Sequence, residues 1–422
     1  MRLRAGGWAG IAHGWTERRA AALGAAALLA ALTACSGGAT VVDQTALQGA
    51  AAPTSSAPPA APAVRFGVKP ANGAIGVSPT TRVVVTASSG TLAAVALRND
   101  AGKGVRGTLS ADRRTWRSAE PLGYGKTYAV SASGVNAEGS HASTSSLFTT
   151  ITPVTYTMPY LFPSTLRTVG IGQPITVHFD EAIADKAAAE KALTVTATPA
   201  TAGGWYWFDD QNVHWRPRAY WRPGTKVTVS AKVYGVDVGN GIYGQQDVSH
   251  SFTIGPSRIA TIDDDTHMMT VRINGKVART IPVSMGRGGK VTVKGRNIYF
   301  TTHSGPHVVQ EKHPVKEMSS ASYGLPVDDP LGYKEKIPLA VRITGSGEFV
   351  HAASWSVADQ GVRNVSHGCI NISPTNARWF YDTFTYGDVV DIRNTGVPLA
   401  RYDRFGDWMI PWSEWVAGSA LS

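Results

Sequence analysis

Val365-Ser366-His367-Gly368-Cys369-Ile370-Asn371 is the most informative stretch of this 422-residue chain, and Phe349-Val350-His351-Ala352-Ala353-Ser354-Trp355 precedes it. A thiol attacks as the thiolate, and a nearby imidazole can lower its pKa and accept its proton. His367 lies two positions from Cys369, which on an extended strand points both side chains to one side. His351 closes an earlier strand and could meet Cys369 across a sheet. We therefore predict Cys369 as a nucleophile with these two histidines as partners.

Two further features surround this nucleophile. Gly368 has no Cβ, so a backbone amide can approach the place where an oxyanion would form. Upstream, the alternation of apolar and polar residues predicts strands at 258–262, 268–273 and 280–284. The reactive residues therefore belong to a β-rich domain, which we place at residues 256–395.

His351, a loop, and then Ser366-His367-Gly368-Cys369-Ile370-Asn371 resemble the motif of the L,D-transpeptidases, which have a YkuD-type catalytic domain. The resemblance covers nearly all the chain from Cys35 onward and is strongest to the long mycobacterial type. It implies that Cys369 attacks the diaminopimelate carbonyl of a donor tetrapeptide stem from peptidoglycan. D-Ala leaves, and a second stem's diaminopimelate amine takes the acyl group, which gives a 3→3 cross-link. Carbapenem β-lactams are expected as covalent inhibitors.

The same resemblance assigns roles to individual residues. It makes His351 the general base, His367 a neighbour that positions the site, and the amides of Gly368 and Cys369 the oxyanion hole. A lid would span residues 301–336. The residues expected to bind substrate are Met318, Tyr323, Tyr333, Trp355, Ser366 and Asn371, and Tyr333 could add its hydroxyl to the oxyanion hole.

Alternatives remain open for several of these residues. Tyr323 and Tyr333 could simply pack a Gly/Pro-rich loop, and Trp355 is either a pocket wall or a core residue. Asn371 stands where many relatives have Arg. Ala352 stands where relatives commonly have Ser after the base histidine. Ala can replace Ser if this position orients the imidazole through its backbone carbonyl, and activity would be reduced if the hydroxyl matters.

Two repeated segments precede the catalytic domain. Trp116-Arg117 is followed by Ser131-Ala132, and Trp215-Arg216 is followed in the same way by Ser230-Ala231. Short alternating strands and turn residues surround both copies, which is typical of immunoglobulin-like sandwiches. We place these domains at residues 64–151 and 152–255. The predicted fold class is mostly β: two sandwiches, then the catalytic domain with a Trp-rich extension.

Several aromatic residues could either bind sugars or fill cores. We expect Trp205, Trp207, Trp215 and Trp221 to be core residues, because aromatic side chains dominate small cores. An Ala-rich helix is predicted over residues 182–192. The extension, residues 396–422, carries Trp408, Trp412 and Trp415, which we expect to clamp it onto the catalytic domain.

The N-terminal region predicts export. Arginines precede an uncharged run ending in Leu32-Thr33-Ala34-Cys35, which resembles a lipoprotein signal peptide of residues 1–34 with lipidation at Cys35. Residues 35–63 are rich in Ala, Pro and Ser and predict a disordered linker. The protein is therefore expected on the outer face of the cytoplasmic membrane, anchored by lipid and facing the cell wall.

Other classes of function fit less well. The formal charge of +10 suggests an anionic environment, but the basic residues are scattered and the chain is exported, so nucleic acid is not expected. His303, His307 and His313 lie close together in sequence without an acidic or second cysteine ligand at metal-like spacing, and a zinc-bound Cys369 could not attack. We therefore predict no metal and no cofactor.

Two alternative functions remain. An L,D-carboxypeptidase or endopeptidase of peptidoglycan would use the same residues with water in place of the acceptor amine. A wall-binding lipoprotein with an inactive catalytic domain would be favoured by loss of His351 or Cys369, and both are present.

Overall fold

The computed structural model describes residues 61–422. The predicted signal peptide, Cys35 and the linker up to residue 60 lie outside the described residues. Within the part that is described, no helix is long and apolar enough to cross a membrane. Two β-sandwiches precede a β-rich domain, which confirms the predicted fold class.

The first domain is a sandwich of two four-stranded sheets. Its strands are β1 (Arg65–Lys69), β2 (Ala74–Val77), β3 (Val84–Ser88), β4 (Thr91–Asn99), β5 (Gly107–Leu109), β6 (Thr115–Ser118), β7 (Thr127–Val135) and β8 (His141–Thr150). One sheet has the order β1-β3-β6-β5 and the other β2-β8-β7-β4. Buried and exposed residues alternate along β7, as expected for a strand with one face on the core.

The second domain repeats this architecture. Its elements are β9 (Thr155–Thr157), β10 (Pro159–Phe162), β11 (Thr168–Val169), β12 (Ile175–Phe179), α1 (Lys186–Lys191), β13 (Leu193–Thr198), β14 (Gly203–Trp207), β15 (Asn212–Pro217), β16 (Lys226–Ala231), β17 (Ile242–Gly244) and β18 (Val248–Ile254). The sheets are β10-β12-β15-β14 and β11-β18-β16-β13, and β17 pairs with β9. The predicted helix is shorter than expected and begins after Asp185, whose side chain accepts the Ala188 N–H at 2.8 Å.

The repeated tryptophans occupy equivalent places in the two sandwiches. Trp116 lies in β6 and Trp215 in β15, and both are buried. A Cβ added at Gly107 would collide with the Trp116 ring, and one at Gly203 would collide with the Trp215 ring. Each indole thus lies over a glycine of the neighbouring strand, a shared detail that supports duplication.

The tryptophans of the second domain are core residues. Trp205, Trp207, Trp215 and Trp221 are at most 9% exposed and pack with the aliphatic residues of both sheets. The prediction that they fill the core is confirmed, and none of the four presents a ring to solvent for sugar stacking.

The catalytic domain combines two sheets and a helix. Its elements are β19 (Arg258–Asp263), β20 (Met268–Ile273), β21 (Lys276–Pro282), β22 (Lys290–Val293), β23 (Arg296–Tyr299), β24 (Gly305–Val308), β25 (Glu311–Ser319), β26 (Lys334–Arg342), β27 (Phe349–Ala352), β28 (Ile370–Ile372), α2 (Pro374–Thr383) and β29 (Val389–Arg393). The sheets have the orders β21-β20-β19-β29-β24 and β25-β26-β27-β28, and β22 pairs with β23. One apolar core, including Ile262, Val350, Ile370 and Phe380, lies between them.

Two predicted strands of this domain are confirmed, and the third starts earlier than expected. β21 begins at Lys276 because Asn274 and Gly275, with φ of 50° and 82°, form a two-residue hairpin turn. An Asn-Gly pair favours this turn because both central positions need positive φ.

The parallel pairing of β27 with β28 places the reactive loop. His351 lies opposite Asn371, two residues beyond Cys369, in this register. Behind the strand, Ser373 caps α2 by accepting the Asn376 N–H at 3.3 Å, and Pro374 occupies the first turn. Strand β28 and helix α2 therefore both fix the chain on the C-terminal side of Cys369.

The C-terminal extension contacts the second sandwich as well as the catalytic domain. The prediction that its tryptophans clamp onto the catalytic domain is wrong, because all three lie around Arg216 of the second sandwich. The Arg216 guanidinium carbon is 4.8, 5.4 and 4.4 Å from the ring centroids of Trp408, Trp412 and Trp415. A buried guanidinium needs such partners, since it keeps its charge when water is excluded. The helix α3 (Trp412–Ala417) carries two of them.

Replacing Trp415 by Ala should destabilise the unit formed by the second sandwich and the extension. Trp415 is fully buried and donates its Nε1–H to the Gly204 carbonyl at 2.8 Å, so we expect a loss of about 3–5 kcal/mol. Urea unfolding followed by circular dichroism measures it. Tyr402→Ala is the control, because Tyr402 is 68% exposed; equal midpoint shifts for the two variants would contradict the assignment.

Candidate active site

Cys369 and His351 line one cavity beside the β27–β28 edge. Eight of the ten residues predicted for the site line this cavity: Cys369, His351, His367, Met318, Tyr333, Trp355, Ser366 and Asn371. The remaining two, Tyr323 and Gly368, line a second cavity that also reaches Cys369. The lining residues that the sequence interpretation missed are Glu335, Ile337 and Val365 in the first cavity, because strand alternation alone does not show which face meets a pocket.

The side chain of His351 is oriented by a backbone carbonyl. Its Nδ1 lies 3.0 Å from the oxygen of Ala352, which can only accept, so Nδ1 carries the proton. Nε2 of the neutral ring is then free to accept a proton. Ala supplies this carbonyl as well as Ser would, so Ala352 is compatible with an oriented base. Burial lowers the pKa of His351 to about 4.

The thiol of Cys369 is half-buried among apolar side chains that include Met318 and Ile337. Burial raises its pKa to about 12, a backbone hydrogen bond with Phe349 acts in the opposite direction, and the charge of Glu348 raises the pKa further. Together with the lowered pKa of His351, this makes the resting pair a neutral thiol and a neutral imidazole. Burial penalises both charges, so a thiolate held by an imidazolium stays a prediction, which the reactivity of the thiol tests.

Gly368 and Ser366 shape the loop before the nucleophile. Gly368 has φ of +140°, which L side chains rarely adopt. Its N–H donates to Ser366 Oγ at 3.0 Å, and that hydroxyl donates to the Cys369 carbonyl at 2.7 Å. Two assigned roles are therefore corrected: the Gly368 amide is already engaged and does not point into an oxyanion hole, and the Ser366 hydroxyl holds the loop instead of substrate.

His367 connects the body of the domain to the loop above the site. It lies on a bend, so the expectation of a strand pointing it beside Cys369 is wrong. Its Nε2 lies 2.7 Å from Arg287 Nη2 and 2.9 Å from the Leu331 carbonyl of the loop, and its ring lies 5.0 Å from the ring of Tyr333. Burial and the positive charge of Arg287 lower its pKa. His367 is therefore a neutral positioning residue.

The predicted lid is smaller than residues 301–336. β24 and β25 are regular strands, and only the segment from Ser320 to Tyr333 is a turn and loop above the cavities. Tyr323 and Tyr333 face each other with ring centroids 6.3 Å apart. Burial raises the pKa of each phenol, so both hydroxyls are protonated at neutral pH and can donate.

Trp355 and Asn371 have different functions in the cavity wall. Trp355 is 58% exposed and lies 6.0 Å from the His351 ring in a stacked arrangement, which makes it a wall residue and not a core residue. Asn371 is buried, and its amide donates to Ser356 Oγ at 3.0 Å, in the short turn that carries Trp355. Its side chain therefore supports the wall, and its predicted contact with substrate is not direct.

The clustered histidines do not assemble a metal site. No group of three or more His, Cys, Asp or Glu residues within residues 61–422 is arranged to hold a metal ion. His303 and His307 instead flank Glu348, while His313 pairs with Glu311 at 3.0 Å. Glu348 lies in the loop between two strands, where no sequence signal pointed to it.

A half-buried thiol and an imidazole with an unprotonated nitrogen line one cavity, together with aromatic residues, as a cysteine acyltransferase requires. Residues 257–392 match the L,D-transpeptidase catalytic domain family, and residues 74–237, which span both sandwiches, match a bacterial Ig domain family. The chain is 44% identical to L,D-transpeptidase 2 of Mycobacterium tuberculosis (strain CDC 1551 / Oshkosh), over 83% of each chain. This protein belongs to the L,D-transpeptidase family.

This chain is also similar to other L,D-transpeptidases. L,D-transpeptidase 5 of Mycobacterium tuberculosis (strain ATCC 25618 / H37Rv) is 39% identical over 86% of this chain and 78% of its own. A solved L,D-transpeptidase in complex with imipenem is 34% identical, with a TM-score of 0.46, over 56% of this chain and 97% of its own.

The neutral resting pair predicts how the free thiol reacts with iodoacetamide. With pKa values of about 12 for Cys369 and about 4 for His351, the thiolate fraction should rise about tenfold per pH unit through the neutral range. Alkylation rates measured between about pH 6 and pH 10 should therefore keep rising. Cys369→Ala gives the background. A rate that is constant across this range would show that a thiolate–imidazolium pair exists at rest.

Proposed function

We propose that this protein forms 3→3 cross-links between diaminopimelate residues of peptidoglycan stem peptides through an acyl-enzyme on Cys369. The observation that supports this most strongly is the state of His351, which lines one cavity with Cys369 and whose Nδ1–H is bound to the Ala352 carbonyl, so that Nε2 is the unprotonated nitrogen. A base with a free Nε2 is what the acylation step requires.

In the acylation step Sγ forms a bond with the diaminopimelate carbonyl carbon while His351 Nε2 takes the thiol proton. Because both groups are neutral at rest, the proton moves as the S–C bond forms, and no thiolate needs to accumulate. The same proton then goes to the nitrogen of D-Ala, which leaves as the C–N bond breaks. The Tyr333 hydroxyl and the Cys369 amide are the proposed donors to the oxyanion.

Transfer completes the reaction. The side-chain amine of a second stem attacks the thioester carbon, the C–S bond breaks, and the sulfur recovers a proton. Water in place of the amine would make the enzyme an L,D-carboxypeptidase.

We also propose that carbapenems acylate Cys369. The relative solved with imipenem shares 34% sequence identity with this chain. Sγ of Cys369 bonds to the β-lactam carbonyl carbon as the ring C–N bond breaks and the ring nitrogen takes the proton. The product is a thioester, which intact-mass analysis detects.

Replacing Cys369 by Ala should abolish both reactions, because the variant lacks the attacking atom. Wild type should gain the mass of a carbapenem at Cys369 and release D-Ala from a tetrapeptide donor, and the variant should do neither while its thermal unfolding is unchanged. Products analysed with and without an amine acceptor separate cross-linking from hydrolysis. Turnover retained by the variant would refute the proposal, and hydrolysis as the sole product with an acceptor present would make the enzyme a carboxypeptidase.

We propose further that the chain is exported and anchored by lipid at Cys35, with the two sandwiches as spacers between membrane and wall. The signal-like residues before Cys35 support this. Cys35→Ala should lose incorporation of labelled palmitate and move from the membrane to the soluble fraction. A variant that stays in the membrane fraction would contradict the anchor.

A further inference from the structure

Cys369 is reached from two cavities, and each contains an imidazole of its own. His351 lines only the first cavity and His303 only the second, with Cys369, Tyr333 and His367 lining both. The acylation step described above uses only His351. The second cavity therefore holds a titratable group next to the nucleophile that this step leaves without a function.

The ring of His303 is held by a buried carboxylate. Glu348 Oε1 lies 2.8 Å from His303 Nδ1 and also accepts the His303 backbone N–H at 2.9 Å. Glu348 is only 6% exposed. A carboxylate can only accept, so Nδ1 carries a proton, and Nε2 of the neutral ring is the free basic atom.

The other face of Glu348 strengthens this arrangement. Its Oε2 lies 3.4 Å from Nε2 of the fully buried His307, and neither atom has a hydrogen-bond partner among residues 61–422. His307 Nδ1 is fixed by the Gly305 carbonyl at 2.8 Å. Among residues 61–422, His303 is therefore the ring that is hydrogen-bonded to Glu348.

His303 and His351 have the same orientation by different means. In both rings Nδ1 is bound to an acceptor and Nε2 is left free, but the acceptor is a neutral carbonyl for His351 and a carboxylate for His303. A carboxylate stabilises the imidazolium and a carbonyl does so only weakly. The imidazolium form is therefore more stable at His303 than at His351, so His303 is the better site to hold a proton.

The acceptor step requires such a site. An amine of the lysine type has a pKa of about 10.4 and enters as an ammonium ion at neutral pH. An ammonium ion has no lone pair, so it must lose a proton before its nitrogen can attack. A thiol differs, because its sulfur has lone pairs and can lose its proton while the bond forms.

We propose that His303 is a second catalytic base, which removes the proton from the acceptor ammonium in the second cavity, and that Glu348 is its positioning residue. This inference rests on the proposed cross-linking function. The proton balance is as follows: the ammonium gives one proton to His303 Nε2, and the free amine forms the N–C bond to the thioester. The nitrogen then loses its second proton by way of His351 to the departing sulfur. His303, whose side chain is 34% exposed, releases its proton to solvent.

The pKa shifts of the two histidines support the assignment of a different step to each. The hydrogen bond to Glu348 raises the pKa of His303 above its usual range, although burial opposes this. Burial lowers the pKa of His351. Only His303 is therefore suited to hold a proton taken from an ammonium ion.

The test compares two acceptors with His303→Asn. One acceptor is a stem peptide whose side-chain amine is an ammonium ion, and the other is hydroxylamine, which is uncharged at neutral pH and needs no base before attack. Release of D-Ala from a tetrapeptide donor reports acylation, and mass spectrometry of the products reports transfer. In His303→Asn we expect acylation and transfer to hydroxylamine to stay within about twofold of wild type, while transfer to the stem amine falls about a hundredfold.

Matched variants distinguish the specific role of the His303–Glu348 pair from the general effect of removing any His–Glu pair. His313→Asn removes the imidazole of the His313–Glu311 pair, which lines neither cavity, and should change nothing. Glu348→Gln keeps an acceptor at Nδ1 without the charge and should lose transfer to the stem amine but not to hydroxylamine. His303→Gln is the second variant if His303→Asn fails to fold.

Three results would overturn the inference: full transfer to the stem amine in a folded His303 variant, equal losses with both acceptors, or loss of acylation. A wild-type enzyme that releases no D-Ala would instead refute the proposed cross-linking function, so the two failures are distinguishable.

Discussion

The hydrogen bond between His351 Nδ1 and the carbonyl of Ala352 is the contact on which the chemistry depends. At 3.0 Å it selects the tautomer that leaves Nε2 basic. The parallel pairing of β27 with β28 supplies the rest of the geometry, because it places this ring opposite Asn371 and next to the loop of Cys369. Backbone atoms therefore orient the base. Residue 352 contributes its backbone carbonyl, and its side chain is not needed.

Burial is the second constraint, and it acts on all the ionisable groups near the sulfur. It raises the pKa of Cys369 and lowers that of His351, so the site rests without charge on either. Glu348 is the exception: burial disfavours its charge, but the hydrogen bond from His303 and the nearby ring of His307 more than offset this and leave its pKa below the usual range. A negative charge kept beside a neutral thiol favours a mechanism in which proton transfer accompanies attack.

The catalytic domain is also tied to the second sandwich. Gly170 and Gly172 of the sandwich donate backbone hydrogen bonds to Tyr386 and Gly387 at 2.7 and 2.8 Å. Trp408 of the extension donates to the Gly172 carbonyl at 2.8 Å, and its ring stacks on Arg216. The extension thus connects two domains, and its indole rings surround Arg216 of the second sandwich. Because Arg216 lies far from these tryptophans in the sequence, the sequence alone did not identify their partner.

The sequence by itself determined the β-rich class, the duplicated sandwiches and the pair His351 and Cys369, because strand periodicity, a repeated Trp motif and a nucleophile motif are local properties of the chain. Only the tertiary structure decided that Ser366 and Gly368 bind each other, that His367 serves the loop above the site, and that His303 meets Glu348. Those residues are brought together by strand pairing over long sequence separations. Hydrogen-bond partners and burial, which set each protonation state, exist only after that pairing.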